Sequence, residues 1–293
     1  MMKILVTGGA GFVGSSLCNY LYNTGRVEVY SLDNYFTGNK KNHIDGVIYL
    51  EGDCKDIEKH VQFKPDMIYH LGEYSRVEQS FDDISKVWEY NKNGIFKVLE
   101  FCKKCGSKLI YAGSSTKFGD GGLGRSQSPY AWTKASNTEL VKNYGTWFNL
   151  PYAIVYFYNV YGYREISQGK YATLIALFTQ KMRDNLPLTV VSPGNQKRNF
   201  THIEDIISGL VLVGENGFGD QFGIGSEESY DILGIANMFG GEIKMLPKRP
   251  GNRLSAEVHT EKVKALGWKC KNNIKDYINN LKANNWGRDL NEN

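Results

Sequence analysis

Lys3-Ile4-Leu5-Val6-Thr7-Gly8-Gly9-Ala10-Gly11-Phe12-Val13-Gly14 decides the fold. The β-rich run Lys3 to Thr7 breaks into glycines, and apolar residues at helical spacing follow from Phe12 to Tyr22, so the order is strand, tight turn, helix. Gly8 permits the sharp bend, Gly11 lets the backbone approach a pyrophosphate, and Gly14 lets the helix pack closely. The N-terminus of that helix adds N–H donors and positive potential. Asp33 ends the second strand 19 residues after Gly14. A carboxylate there binds an adenosine ribose and repels a 2′-phosphate, which favours NAD over NADP.

Outward from this turn, short β-rich runs recur at Val27 to Leu32, Val47 to Glu51, Met67 to Leu71, Lys108 to Ala112 and Tyr152 to Tyr158. Helical patterns lie between several of them, at 81 to 104 and 130 to 148. Such alternation implies right-handed crossovers and a parallel sheet covered on both faces. The expected fold class is α/β: a Rossmann-type doubly wound parallel sheet with a smaller C-terminal substrate-binding lobe. Residues 1–160 form the NAD-binding part, with 195–225 returning to it through the helix 203 to 214 and the run Gln221 to Gly225. Residues 161–194 and 226–284 form the lobe, with a helix near Thr173 to Asn185 and a strand at Leu188 to Ser192. The polar end, 285–293, is expected to fray.

The composition agrees with a compact globular chain. Of 293 residues, 41% are hydrophobic and 23% charged, and the formal charge is only +4. That balance is too even for a nucleic-acid surface, and no apolar run approaches the roughly 18 residues a membrane span needs. Glycines interrupt the apolar start before a signal peptide develops, so the expected location is cytoplasmic. Cysteines at 18, 54, 102, 105 and 270 are odd in number, which fits reduced thiols. Cys102 and Cys105 form a lone CxxC inside a helical pattern, without the second ligand pair that zinc requires. No metal is expected.

Ser128-Pro129-Tyr130-Ala131-Trp132-Thr133-Lys134 opens a helix, which makes Tyr130 and Lys134 neighbours on one face. A phenol near pKa 10 is a poor base at neutral pH, and lowering it by three units takes about 4 kcal/mol. An adjacent ammonium and a positive nicotinamide ring supply such a term. The pair alone is weak, since the chain has 19 tyrosines. Ser114, in Ala112-Gly113-Ser114-Ser115-Thr116 just past the fifth strand, strengthens it by placing a hydroxyl at the ligand-binding edge of the sheet.

Together TGGAGFVG, LDNYFTGN, the GD at 52 and 53, YHLGEYSRVEQS, the serine turn and YxxxK occur in the order of extended short-chain dehydrogenase/reductases. The sequence resembles their NAD-dependent nucleotide-sugar epimerases and dehydratases, particularly UDP-glucose and UDP-N-acetylglucosamine 4-epimerases, to about Trp268. This resemblance implies that Gly8, Gly11, Phe12, Val13, Gly14, Asp33, Asn34, Thr37, Gly38, Asp53, Cys54, Leu71, Gly72, Tyr130, Lys134 and Tyr158 hold NAD, with Asn91 supporting the loop beneath it. It implies a nucleotide-sugar site at Ser75, Arg76, Ser114, Tyr130, Asn159, Thr173, Gln196, Arg198 and Arg249. The two arginines Arg198 and Arg249 would grip a diphosphate, for which planar bidentate donors are suited. The helices at 81 to 104 and 130 to 148 resemble a pair that forms a homodimer interface in relatives. Gly72-Glu73 replaces the small-residue pair common in the family.

Within the family the residues after the catalytic hydroxyl select the reaction. The 4,6-dehydratases carry Asp-Glu there, because eliminating water needs an acid and a base; decarboxylases usually keep a glutamate at the second position. Here they are Ser115 and Thr116. The expected catalytic set is Ser114, Thr116, Tyr130 and Lys134, and the expected activity is NAD-dependent epimerisation at C4 of a nucleotide-linked hexose, a UDP-sugar. The small Ala256 permits an N-acetylhexosamine. Two alternatives stand beside this: a 4,6-dehydratase or ketoreductase using Glu73 or Glu78, and a non-catalytic NAD-sensing protein on the same fold.

Overall fold

The computed structural model describes residues 1–248 and 257–287. Seven strands form the central sheet: β1 (Met2–Thr7), β2 (Val27–Asp33), β3 (Ile48–Glu51), β4 (Met67–His70), β5 (Lys108–Ala112), β6 (Tyr152–Phe157) and β7 (Gly219–Ile224). The order is β7-β6-β5-β4-β1-β2-β3, and every pair is parallel. Parallel strands need crossovers and are buried on both faces. Accordingly Ile4, Leu5, Val6, Leu109, Ile110, Ile154 and Val155 are almost wholly buried although successive side chains point to opposite faces.

The main helices are α1 (Phe12–Asn23), α2 (Gly94–Cys105), α3 (Pro129–Phe148), α4 (Leu174–Arg183), α5 (Ile203–Asn216), α6 (Ile232–Phe239) and α7 (Ile274–Ala283). Leu17 and Leu21 of α1 join Ile206, Leu210 and Val213 of α5 in the core on one face of the sheet. On the other face Val98, Leu99 and Cys102 of α2 pack with Val141 and Tyr144 of α3. Each such aliphatic side chain, fully buried, contributes about 1.5–3 kcal/mol.

Local chemistry marks the helix ends. Ser128 accepts the Ala131 N–H at 3.1 Å, and Pro129 fits the first turn of α3. Gly106, at φ +73°, closes α2 with a left-handed residue. The helix expected over 81 to 104 is segmented. Ile84–Val87 is helical, Trp88–Asn93 forms a π-turn, and α2 follows. The wider turn shifts the register of everything after it.

A smaller cluster is built from Ile175 and Phe178 of α4, Leu188, Val190, Ile235, Phe239, Ile274 and Ile278. Its strands Leu188–Val191 and Ile243–Leu246 pair in parallel apart from the main sheet. Near the end of the described chain Trp286 stacks on Phe239 with centroids 5.3 Å apart, giving the aromatic ring an apolar partner. Residues 288–293 lie outside the described residues.

Candidate active site

Strand order reverses between β1 and β4, and the crevice beyond their C-terminal ends is where open α/β sheets take ligands. A cavity of about 700 Å³ opens there. The glycine turn forms one wall. Gly8 has φ +73°, and a Cβ on it would approach the Gly72 backbone to 2.9 Å. A Cβ on Gly14 would lie 2.0 Å from the Gly8 carbonyl oxygen, so helix and turn are in contact without side chains between them. No side chain caps α1, and first-turn N–H groups of an uncapped helix are donors for an anion. Gly8, Gly11, Phe12, Val13 and Gly14 all line the cavity.

Asp33, at the end of β2, accepts the N–H of Ala10 at 2.9 Å and of Tyr35 at 2.8 Å. Burial pushes its carboxyl up, and those two N–H groups pull it back in part. A Cβ on Gly38 would come within 2.7 Å of the same carboxylate. Asn34 donates to Asp53 at 3.0 Å. Thr37, Cys54, Leu71 and Gly72 complete this end of the lining. The donor set, helix N–H groups beside a buried carboxylate, fits the pyrophosphate and ribose diol of a dinucleotide.

Asn91 lies beneath, fully buried on the π-turn. Its side-chain oxygen accepts the Tyr74 N–H at 2.7 Å, and its amide donates to Tyr74 O and to Thr133 Oγ1 at 3.2 and 3.1 Å. It thereby fixes the loop that carries Glu73, Ser75 and Arg76. Arg76 donates twice to Tyr171 O, at 2.9 and 2.6 Å, and also to Ser75, so its guanidinium ties that loop to the segment before α4.

Ser114, Tyr130 and Lys134 converge where β5 ends. The Tyr130 hydroxyl donates to Ser114 Oγ at 3.2 Å, and the Thr116 hydroxyl donates to the same oxygen at 2.9 Å. Ser114 is thus the hub of three hydroxyls, all on the cavity wall. The Lys134 ammonium donates to Ala112 O at 2.6 Å and to Glu73 Oε2 at 2.5 Å. Burial pushes the Glu73 carboxyl up, but Lys134 and His70 more than offset it and the net direction is down.

Asn159, Thr173, Gln196 and Arg198 line the far end. Thr173 donates to Glu165 at 2.6 Å, and Glu165 also accepts the Gly162 N–H at 2.9 Å. Arg249 and Ala256 lie outside the described residues. Tyr158 needs correction as a cofactor contact. It is fully buried in the core beneath α2 and α3, and its Oη accepts the His259 N–H at 3.2 Å. Its ring fills a slot at Gly225, where a Cβ would come within 2.4 Å. In this run the aromatic on the cavity is Phe157, one residue earlier, because neighbouring strand residues face opposite ways. The run Tyr156-Phe157-Tyr158 has no polar alternation that would have given the phase. Glu165 and the Glu73–Lys134 pair were also missed, since no sequence spacing links residues 61 positions apart.

The family model described as the NAD-dependent epimerase/dehydratase family matches residues 4–225. A putative UDP-glucose 4-epimerase of Methanocaldococcus jannaschii is 30% identical over 304 aligned positions, covering 96% of this chain and 99% of its own. UDP-glucuronic acid decarboxylase 1 of Arabidopsis thaliana is 26% identical, covering 99% of this chain and 71% of its own. Among solved structures, the UDP-glucose 4-epimerase of Thermus thermophilus in complex with NAD has a TM-score of 0.87 at 26% identity, covering 97% of this chain and 99% of its own.

Proposed function

The chain belongs to the NAD-dependent epimerase/dehydratase family, with NAD as its cofactor, and we propose that within it the protein inverts C4 of a nucleotide-linked hexose, a UDP-sugar. The observation that carries this reading is the pair after Ser114. Ser115 and Thr116 stand where elimination would need acids, and the Thr116 hydroxyl is turned onto Ser114 at 2.9 Å. Inverting one carbon needs a single proton relay, and among the described residues Thr116 and Tyr130 meet on Ser114 in such a relay.

Bound NAD supplies a reversible hydride acceptor. Gly8, Gly11, Phe12, Val13, Gly14, Asp33, Asn34, Thr37, Gly38, Asp53, Cys54, Leu71 and Gly72 would hold it, with Phe157 in place of Tyr158. As the phenolate, Tyr130 Oη takes the proton of the sugar 4-hydroxyl and later returns it. Ser114 Oγ accepts from Thr116 and has its own proton to donate to the substrate oxygen. The Lys134 ammonium, one helical turn beyond Tyr130, would favour the phenolate and hold the nicotinamide ribose. Asn159, Thr173, Gln196 and Arg198 bind the nucleotide sugar at the far end of the cavity.

Glu73 does not suit the acid of a dehydratase, because its side chain is 2% exposed and engaged by Lys134. The assembled Ser114–Tyr130 contact supports catalysis over NAD sensing alone. Tyr130→Phe tests the reading: turnover of a UDP-hexose should fall by about 10²–10⁴-fold while NAD affinity, followed by calorimetry, stays near wild type. An unchanged rate would remove Tyr130 from the chemistry and the proposal with it.

A further inference from the structure

We infer that Glu73 is a positioning residue, the fixed counter-ion that holds the Lys134 ammonium charged and in place at the floor of the cavity. The inference rests on the reading of Tyr130 and Lys134 as the proton-handling pair.

Both side chains are nearly closed off, Lys134 at 6% and Glu73 at 2% exposure, with 2.5 Å between Nζ and Oε2. A buried charge requires a partner and saturated hydrogen bonds. Glu73 has both. Tyr111 donates to Oε2 at 3.1 Å and Asn137 to Oε1 at 3.2 Å, while Lys134 has Ala112 O as a second acceptor. The lysine's third N–H is the one left for the cavity.

A second layer lies against the carboxylate. Thr7 Oγ1 accepts the N–H groups of Leu71 and Gly72 at 3.2 and 3.1 Å, so its own proton goes to His70 Nδ1, 2.7 Å away. That assignment puts the imidazole proton on Nε2, which lies 3.5 Å from Glu73 Oε1. Thr7 and His70 are paired residues at the ends of β1 and β4. The Glu73–Lys134 pair therefore sits against the switch point of the sheet, where the family commonly has small residues.

The groups facing this pair are His70 from β4, Tyr111 from β5, Tyr130 and Asn137 from α3, Lys92 from the π-turn and Cys54 beyond Gly72; Arg76 faces Tyr130. A fixed negative charge makes proton loss harder for every acid around it. Neutralising Glu73 makes it easier for Lys134, whose ammonium touches the carboxylate, so the alkaline limb of the pH–rate profile moves to lower pH.

Glu73→Gln keeps the shape and removes the charge. Holoprotein carrying ε-13C-lysine is titrated through neutral and alkaline pH by NMR, with the Lys134 signal assigned by its loss in Lys134→Met. The expected result is a Lys134 transition about one pH unit lower in Glu73→Gln and near the wild-type position in Glu73→Asp. The alkaline limb of the kcat/KM profile, measured with UDP-glucose, should shift in the same direction. Glu73→Ala is read identically if Glu73→Gln does not fold. Coincident lysine transitions in wild type and the neutral variants would overturn the inference, as would a fold that survives in Glu73→Asp alone. Turnover persisting in Tyr130→Phe would instead overturn the catalytic reading, without altering the lysine titration.

Discussion

Gly14 shows how one missing side chain sets the cofactor wall. Its Cβ would sit 2.0 Å from the Gly8 carbonyl, 2.7 Å from the Gly8 carbonyl carbon and 2.9 Å from Gly9 Cα. All three are backbone atoms of the turn, which cannot swing aside as a side-chain tip would. Gly14→Ala should therefore cost about 1–3 kcal/mol of stability, the usual penalty for overpacking, and weaken NAD binding at least about tenfold, the equivalent of 1.4 kcal/mol. Thermal melting and calorimetry check this, and an alanine variant with wild-type melting and affinity would mean that the turn is not held by this contact. At this scale the sequence was readable where the backbone itself made the demand. It was silent where two distant side chains meet, as Glu73 and Lys134 do.

Helices and strands were legible in proportion to their periodicity. Strands β1 to β6 follow short β-rich runs, and α3 announces itself by Ser128-Pro129 and the i, i+4 pair Tyr130 and Lys134. The π-turn Trp88–Asn93 leaves no such mark, since its apolar spacing passes for one unbroken helix, yet it is what buries Asn91. Just before that helical stretch, Asp83 joins the segment leading to α4. It accepts the hydroxyl protons of Tyr74 and Tyr171 at 2.9 and 2.8 Å and pairs with Lys170 at 2.8 Å. Hydrogen bonds from Lys170 and then Tyr171 pull its carboxyl down to about 2. A carboxyl whose folded value lies below its unfolded value of about 3.9 contributes stability above that pH, and the contribution is lost as pH falls toward the folded value. Urea unfolding of wild type and Asp83→Asn should accordingly differ most near neutrality and converge between about pH 4 and pH 2. Parallel curves across that window would show that Asp83 does not carry the link.

For the whole molecule, the alternation of strands and helices gave the doubly wound sheet, because a parallel sheet has few ways to close its crossovers. The far wall of the cavity was harder to read. Its residues come from the turn-rich chain after β6, where glycines and prolines obscure periodicity, and one of its proposed ligands, Arg249, is outside the described residues. Among the described residues Thr116 and Tyr130 meet upon Ser114 as a hydroxyl relay, beside a lysine fixed by Glu73. The central claim is that this relay inverts C4 and does nothing further. The most direct test incubates the NAD-loaded protein in deuterium oxide with UDP-glucose, UDP-N-acetylglucosamine and their uronic acids, and follows products by proton NMR and mass spectrometry. A product of unchanged mass, inverted at C4 and without deuterium on carbon, is predicted. Loss of water or carbon dioxide, or solvent deuterium entering the sugar carbons, would contradict the account.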